Sequence, residues 1–592
     1  MPGINTLITY RLRTPAEDEK IDNVAVQMRY LPSYSTNILF KNEHVLSLFS
    51  GYELYPHATM HAGDIAILID GAIYNKSLKQ LSKELSSIAP AMMKKDDYNV
   101  LTKFILDTDG EYLIYLIDSL HSHFVAFNDS LGRMPLYFYQ DLQKTILARD
   151  YKFATAILSN VEINRDALPG YFTFLAPLGM NTLLKGINRL APASLLNIDF
   201  ESGTFERQTL LEHNFDERHD DQNIKDYAGH LKRTFLRATA TRLSYFHDRK
   251  HLLALSGGLD SRAVLLSMLQ SYANLETVTF KYRQDISNRD LPVVDRLVAL
   301  YGLRHHQFEL PENSITYMER LIQMKDGLGL NLIMGFVLQS LEKILQSFGP
   351  NMVYFTGDGG GYIVGPRNAG KKITSMDEFL NQLVSGNSLL AEGDICALLG
   401  IDKKCYRDKL AAHFSEYPEK DYVHKYDKFF FYEHLLRFSM EGEDRVRHFF
   451  WSTTPFYSNE FTNYAFKLKN KYLAKWRIYR EFLKQLDPKS IKIKYANWGL
   501  RLDSPILPFY LPIRNLALRN AALKSRLIRI LRLIKNPSIY KNKLASDSFA
   551  LILRRYLENL AKNAGFAVRY MDIDYLRKLS AAEKSSPKLY IY

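Results

Sequence analysis

The stretch of this chain richest in chemistry is Ser256-Gly257-Gly258-Leu259-Asp260-Ser261, preceded by the apolar run His251-Leu252-Leu253-Ala254-Leu255 and followed by Arg262-Ala263-Val264-Leu265-Leu266. The pattern predicts a strand ending in a glycine-rich turn that opens directly into a helix. Lacking side chains, Gly257 and Gly258 let backbone N–H groups close around an anion, and the helix N-terminus adds partial positive charge. Ser256 and Ser261 supply hydroxyl donors. Asp260 supplies carboxylate oxygens of the kind magnesium prefers beside a pyrophosphate. No Gly-Lys-Ser/Thr follows, so this is not a Walker A loop; a cut between the α and β phosphates, with pyrophosphate leaving, suits it better than γ-phosphoryl transfer. The expected cofactors are ATP and Mg2+. The expected nucleotide contacts are Leu255, Ser256, Gly257, Gly258, Leu259, Asp260 and Ser261, joined by Phe280 at the end of the next strand, with Asp260 as metal ligand.

Other chemically suggestive pairs carry less. His305 and His306 are adjacent, so their side chains point apart, and no partner His or Cys lies nearby; a place at the start of a strand is expected rather than a metal site. Cys396 and Cys405 are the only cysteines. They are too few for a disulfide framework and match no zinc spacing, so both are read as structural.

The elements that must position the loop follow from texture. Residues 227–243 read as helix, 252–255 as strand, 262 onward as helix, 277–280 as strand and 293–300 as helix. This alternation predicts a parallel sheet covered on both faces. Residues 1–210 read instead as short strands (65–69, 112–117, 124–127, 136–139) with Asp, Gly and Asn between them, and Asp70-Gly71 as a tight turn. The polar stretch 216–226 marks the linker, giving domains at 1–210 and 227–510, a linker at 211–226 and a basic helical region at 511–592.

The chain has 592 residues and a net charge of +13, enough length for at least two well-buried cores. Residues 511–592 hold 17 Lys/Arg against 5 Asp/Glu, so the basic excess belongs to the tail. There Leu523, Leu527, Ile530, Leu531 and Ile534 share one helical face opposite Arg529 and Arg532. An amphipathic helix docked on the domain body is the expectation, and an anionic membrane surface or acidic partner the alternative. No apolar run reaches membrane-spanning length and the N-terminus does not open like a signal peptide, so a cytoplasmic enzyme is expected. Nucleic acid is not an expected partner.

Ser256 to Ser261 matches the signature of the PP-loop ATP pyrophosphatases, and the order of landmarks resembles the asparagine synthetase family. Asp70-Gly71-Ala72-Ile73-Tyr74-Asn75 resembles its Asn-Gly-Glu-Ile-Tyr-Asn, and Asn128-Asp129-Ser130-Leu131-Gly132-Arg133-Met134-Pro135-Leu136-Tyr137 its Asp-x-x-Gly-x-x-Pro-Leu-Tyr. Thr356-Gly357-Asp358-Gly359 resembles the second active-site loop, Ser-Gly-Glu-Gly, and Thr454-Pro455-Phe456-Tyr457 the Arg-x-Pro-Phe-Leu-Asp segment. The resemblance implies a four-layer N-terminal-nucleophile sandwich followed by a parallel-sheet PP-loop domain with a helical C-terminal part. It implies a ligase that adenylates a small-molecule or peptide carboxylate for attack by ammonia or an amine. Thr356 and Gly357 would touch ribose and phosphates, Asp358 would stand for the catalytic Glu, and Lys494 or Lys492 would lie over the reacting phosphates, Lys494 being favoured.

Departures from the family pattern are specific. Pro2 stands where the family needs its nucleophilic Cys, and Ala72 replaces the glutamine-recognising Glu, although Asp97 is kept. Glutaminase activity is therefore expected to be absent. In the synthetase half Gly361 stands where a second magnesium-ligating Asp is expected. Two alternatives accompany the ligase reading: an inactive nucleotide-binding homologue with an interaction role, and a cyclase like the family's β-lactam synthetases and lasso-peptide cyclases.

Overall fold

The computed structural model describes residues 1–93, 98–272, 274–282, 290–310, 315–328, 335–367, 373–388, 390–511 and 572. Asp97 and the stripe at 523–534 lie outside the described residues.

Residues 1–209 form two six-stranded antiparallel sheets. One runs Ile187–Arg189, Tyr137–Gln140, Lys144–Ala148, Gly3–Thr9, Val45–Tyr52, Tyr34–Lys41; the other runs Thr204–Thr209, Ser194–Asp199, His123–Asn128, Gly110–Asp118, Ile65–Ile73, His57–Ala62. Strand alternation builds the layers. Ala66 and Leu68 face Ile4, Ile8 and Phe49 in the core between the sheets, while Ile65, Ile67 and Ile69 face Leu81, Leu85 and Ile88 of the outer helix Leu78–Met93. On the opposite outer face, Leu7, Leu46 and Leu48 meet Ile21 and Val24 of helix Pro15–Gln27. Helix, sheet, sheet and helix make the expected four-layer sandwich.

The turn read at Asp70-Gly71 is not there. The strand Ile65–Ile73 continues through both residues, with Gly71 opposite Tyr112. Gly71 has φ +101°, and a Cβ on it would stand 2.1 Å from the Glu111 carbonyl oxygen. The glycine serves close approach of two strands rather than chain reversal.

The second domain opens with helix Ile224–Tyr245, which starts within the expected linker because the Asn223 side chain caps it, accepting from Lys225 N at 2.9 Å. The preceding segment is docked rather than free: Phe215 is buried, and Arg218 pairs with Asp427 at 3.0 Å. A five-stranded parallel sheet follows in the order Arg304–Leu310, Glu276–Tyr282, Lys250–Ala254, Met352–Phe355, Trp451–Thr453. Chain order therefore reverses between Lys250–Ala254 and Met352–Phe355. Ligands of such sheets bind at this switch point, beyond the carboxyl ends of the strands.

His305 and His306 behave as expected of adjacent strand residues: Nδ1 of His305 meets Thr277 Oγ1 at 2.9 Å and Nε2 of His306 meets Glu276 Oε2 at 2.7 Å. Both cysteines are free thiols on helices. No helix among the described residues is long and apolar enough to cross a membrane.

Candidate active site

The glycine-rich turn leaves strand Lys250–Ala254 and opens helix Asp260–Met268 at the switch point. Its serines close it: Ser256 Oγ and Ser261 Oγ lie 2.9 Å apart, and Ser261 Oγ accepts from Ser256 N at 3.1 Å. Gly258 N donates to Ser256 Oγ at 3.2 Å. No side chain caps the helix, so its first-turn amides depend on another partner, as at an anion site. The Leu255 and Leu259 side chains are buried in the core, and Leu255 N is used by Val278 O at 2.9 Å. Neither leucine presents its side chain to a ligand.

The second loop, after strand Met352–Phe355, meets the first at backbone distance. A Cβ on Gly357 would lie 2.4 Å from Ser261 N, and one on Gly360 2.7 Å from Asp260 Oδ1. Glycine at both positions lets the loops touch. Gly359, at φ +88°, makes room for Tyr457, whose ring a Cβ there would meet at 2.4 Å. Thr356 was expected to face the nucleotide; instead its hydroxyl donates to Glu443, and it accepts from Asp358 N at 3.3 Å. It is buried and shapes the loop from below.

Three carboxylates converge here. Burial, with Asp358 nearby, pushes Asp260 up to about 6, against hydrogen bonds from Tyr479 and the Gly361 backbone. Burial also raises Asp358, opposed by its hydrogen bond to Glu443 and by Arg445. Burial and then Asp358 push Glu443 up to about 8. Both acids of the pair are thus raised by burial, and together they hold a proton more tightly than free carboxylates.

Among the described residues no group of three or more His, Cys, Asp or Glu could hold a metal by itself. Asp260 nevertheless fits magnesium brought in on phosphate oxygens, which needs only one or two protein carboxylates. A Cβ at Gly361 would stand 3.5 Å from Asp260 Oδ2, so the position expected to supply a second ligand does face Asp260, without a side chain.

Lys492 and Lys494 are both exposed, on a segment held against the turn. Ala496 N donates to Gly257 O at 3.2 Å. Phe280 follows two residues after Val278, the partner of Ala254, but its half-buried ring stacks on Phe308 with centroids 6.2 Å apart, in the cluster containing Met318 and Leu341. Helix Asp260–Met268 packs on the other face of the sheet through Ala263, Val264 and Leu265. Sequence reasoning missed Tyr479 and Arg262, and Glu443-Asp444-Arg445, which resembles a helix of the family, is given no role by it; Arg262 directly follows the motif, but no local signal marks its target.

In the first domain, the region beside Gly3 and Ile4, directly after Pro2, is filled. Asp70 accepts from Ile4 N at 2.9 Å and Tyr55 Oη at 2.7 Å, and pairs with Arg149 at 3.2 Å. Ala72 is fully buried in the core.

A glutamine-amidotransferase-type sandwich joined to a parallel-sheet domain with a PP-loop is what fold and site define. Models of the glutamine amidotransferase domain and of asparagine synthase match residues 56–210 and 230–485 respectively. The chain belongs to the asparagine synthetase family, a family of ATP-dependent amide-forming ligases. Solved structures similar to it include glutamine phosphoribosylpyrophosphate amidotransferase from B. subtilis complexed with ADP and GMP, at 10% identity and TM-score 0.24, covering 71% of this chain and 94% of that one. Another is the allosteric regulatory enzyme of purine biosynthesis, at 9% identity and TM-score 0.24, covering 53% of this chain and 82% of that one. Likenesses this slight carry no argument.

Proposed function

We propose that the chain is an AMP-forming ligase. A substrate carboxylate oxygen attacks the α-phosphorus of ATP, pyrophosphate leaves, and the acyl adenylate is then attacked by an amine or ammonia to give an amide, AMP and a proton. The observation that supports this most is the contact of the two loops at the switch point, which sets the uncapped helix N-terminus beside Asp260 and Asp358.

In this reading the turn amides and the Ser256 and Ser261 hydroxyls hold the leaving pyrophosphate. Asp260, oriented by Tyr479, would hold magnesium, which supplies charge neutralisation on the phosphates. Asp358, hydrogen-bonded to Glu443, accepts the proton shed by the attacking amine. Lys494 or Lys492 neutralises charge growing on the α-phosphate. The first domain acts as a scaffold: Arg133 Nη1 donates to Tyr457 O at 2.7 Å, and Trp451 Nε1 donates to Tyr74 Oη at 3.0 Å. That wall supports the active loop, with Thr454 Oγ1 donating to Asp358 O at 3.2 Å.

Pyrophosphate release from magnesium-ATP with a panel of carboxylates and amines tests the proposal. Release that Asp260→Ala abolishes is the expected result; none with any pair would sink it. A second reading, a nucleotide-binding homologue without turnover, is favoured by the missing side chain at Gly361. It predicts ATP binding without pyrophosphate release.

A further inference from the structure

Arg262, the residue after the phosphate turn, is fully buried although it carries a charge. Its guanidinium reaches across to the lysine-bearing segment. Nη1 donates to Ser490 O at 3.0 Å and to Ile493 O at 3.1 Å, and Nη2 donates to Lys494 O at 2.8 Å. Among the described residues no carboxylate pairs with it, and Nε is buried without a partner. A buried guanidinium bound only to carbonyls is expensive unless something anionic compensates it. Its planar fork also fixes several carbonyls at once, which a lysine ammonium does not reproduce.

We infer that Arg262 is a positioning residue: it locks the segment carrying Lys492 and Lys494 to the phosphate turn, so that cradle and lysine move as one body, and its unpaired charge favours a bound polyphosphate. The inference rests on the phosphate-site reading above. The second tie, from Ala496 N to Gly257 O, closes the unit from the other side of the turn. The alternation in the segment follows: Ile493 and Tyr495 are buried, leaving Lys494 exposed between them.

The test uses the full chain with magnesium pyrophosphate as probe, binding measured by calorimetry and the acetylation of each lysine by peptide mass spectrometry. In the wild type, pyrophosphate is expected to slow acetylation of Lys494 or Lys492. Arg262→Lys keeps the charge but loses the fork; its affinity is expected to stay within about threefold while that protection disappears. Arg262→Gln loses the charge as well and is expected to bind at least about tenfold more weakly. Retained protection in Arg262→Lys would reduce Arg262 to a core filler and overturn the inference. If the variants do not fold, amide exchange in the wild type decides: residues 490–496 and the first turn of helix Asp260–Met268 slow together on binding, whereas slowing of the helix alone overturns it. A wild-type chain that binds no pyrophosphate fails at the calorimetric step and removes the phosphate-site reading itself.

Discussion

Gly357, on the loop after strand Met352–Phe355, and Ser261, in the first turn of helix Asp260–Met268, approach so closely that a Cβ on the glycine would stand 2.4 Å from the Ser261 backbone nitrogen. The methyl group of Gly357→Ala therefore has to force the loop and the helix apart. The expected result is destabilisation by about 1–3 kcal/mol, typical of overpacking, together with loss of pyrophosphate binding. Thermal unfolding and calorimetry on the same sample check both.

Asp260 sits at about 6, so its proton competes with magnesium in the accessible pH range. Metal needs the carboxylate form, and affinity for magnesium pyrophosphate should fall as pH drops through about 6. Asp260→Asn should lower pyrophosphate release roughly 100-fold or more and erase that pH dependence of binding. An unchanged dependence in the variant would assign the titration to another group.

Glu443 is held protonated, up to about 8, by burial beside Asp358. An acid whose folded pKa lies above its unfolded value binds more protons folded than unfolded, so stability falls with pH between the two values. Its contribution is complete below the ordinary carboxylate range and lost as pH rises through about 8. Glu443→Gln, which cannot ionise, should show a flatter melting temperature between pH 6 and 9 than the wild type; equal slopes would refute the assignment.

The glutamine side should be silent for more than one reason. Asp70, Tyr55 and Arg149 fill the space beside Gly3 and Ile4, directly after Pro2, and a Cβ on Gly3 would already stand 2.5 Å from Asp70 Oδ2. Pro2→Cys is thus expected to leave glutamine hydrolysis absent, as measured by glutamate release. Hydrolysis in that variant would show that the thiol alone was missing.

The Asp70–Arg149 pair is fully buried, so removing one partner strands the other charge. Arg149→Ala should destabilise the chain by about 3–5 kcal/mol. Denaturant unfolding reads the loss.

The phosphate turn, its helix, the strands on either side of Ser256 at 252–255 and 277–280 and the change from antiparallel to parallel texture were all legible in the residues alone. Each is encoded locally: glycine permits the turn, apolar period sets the strand, and neighbours a few residues apart decide the outcome. Even so, Asp70-Gly71 misled, since a glycine that admits a neighbouring strand looks the same in sequence as one that reverses the chain. Leu255, Leu259 and Thr356 lie in or beside the motifs, but tertiary packing turns their side chains inward. Tyr479 reaches Asp260 across 219 residues and Arg262 reaches Lys494 across 232. Such partners are chosen by the order of strands in the sheet and by what must be paired once water is excluded, and neither leaves a pattern along the chain.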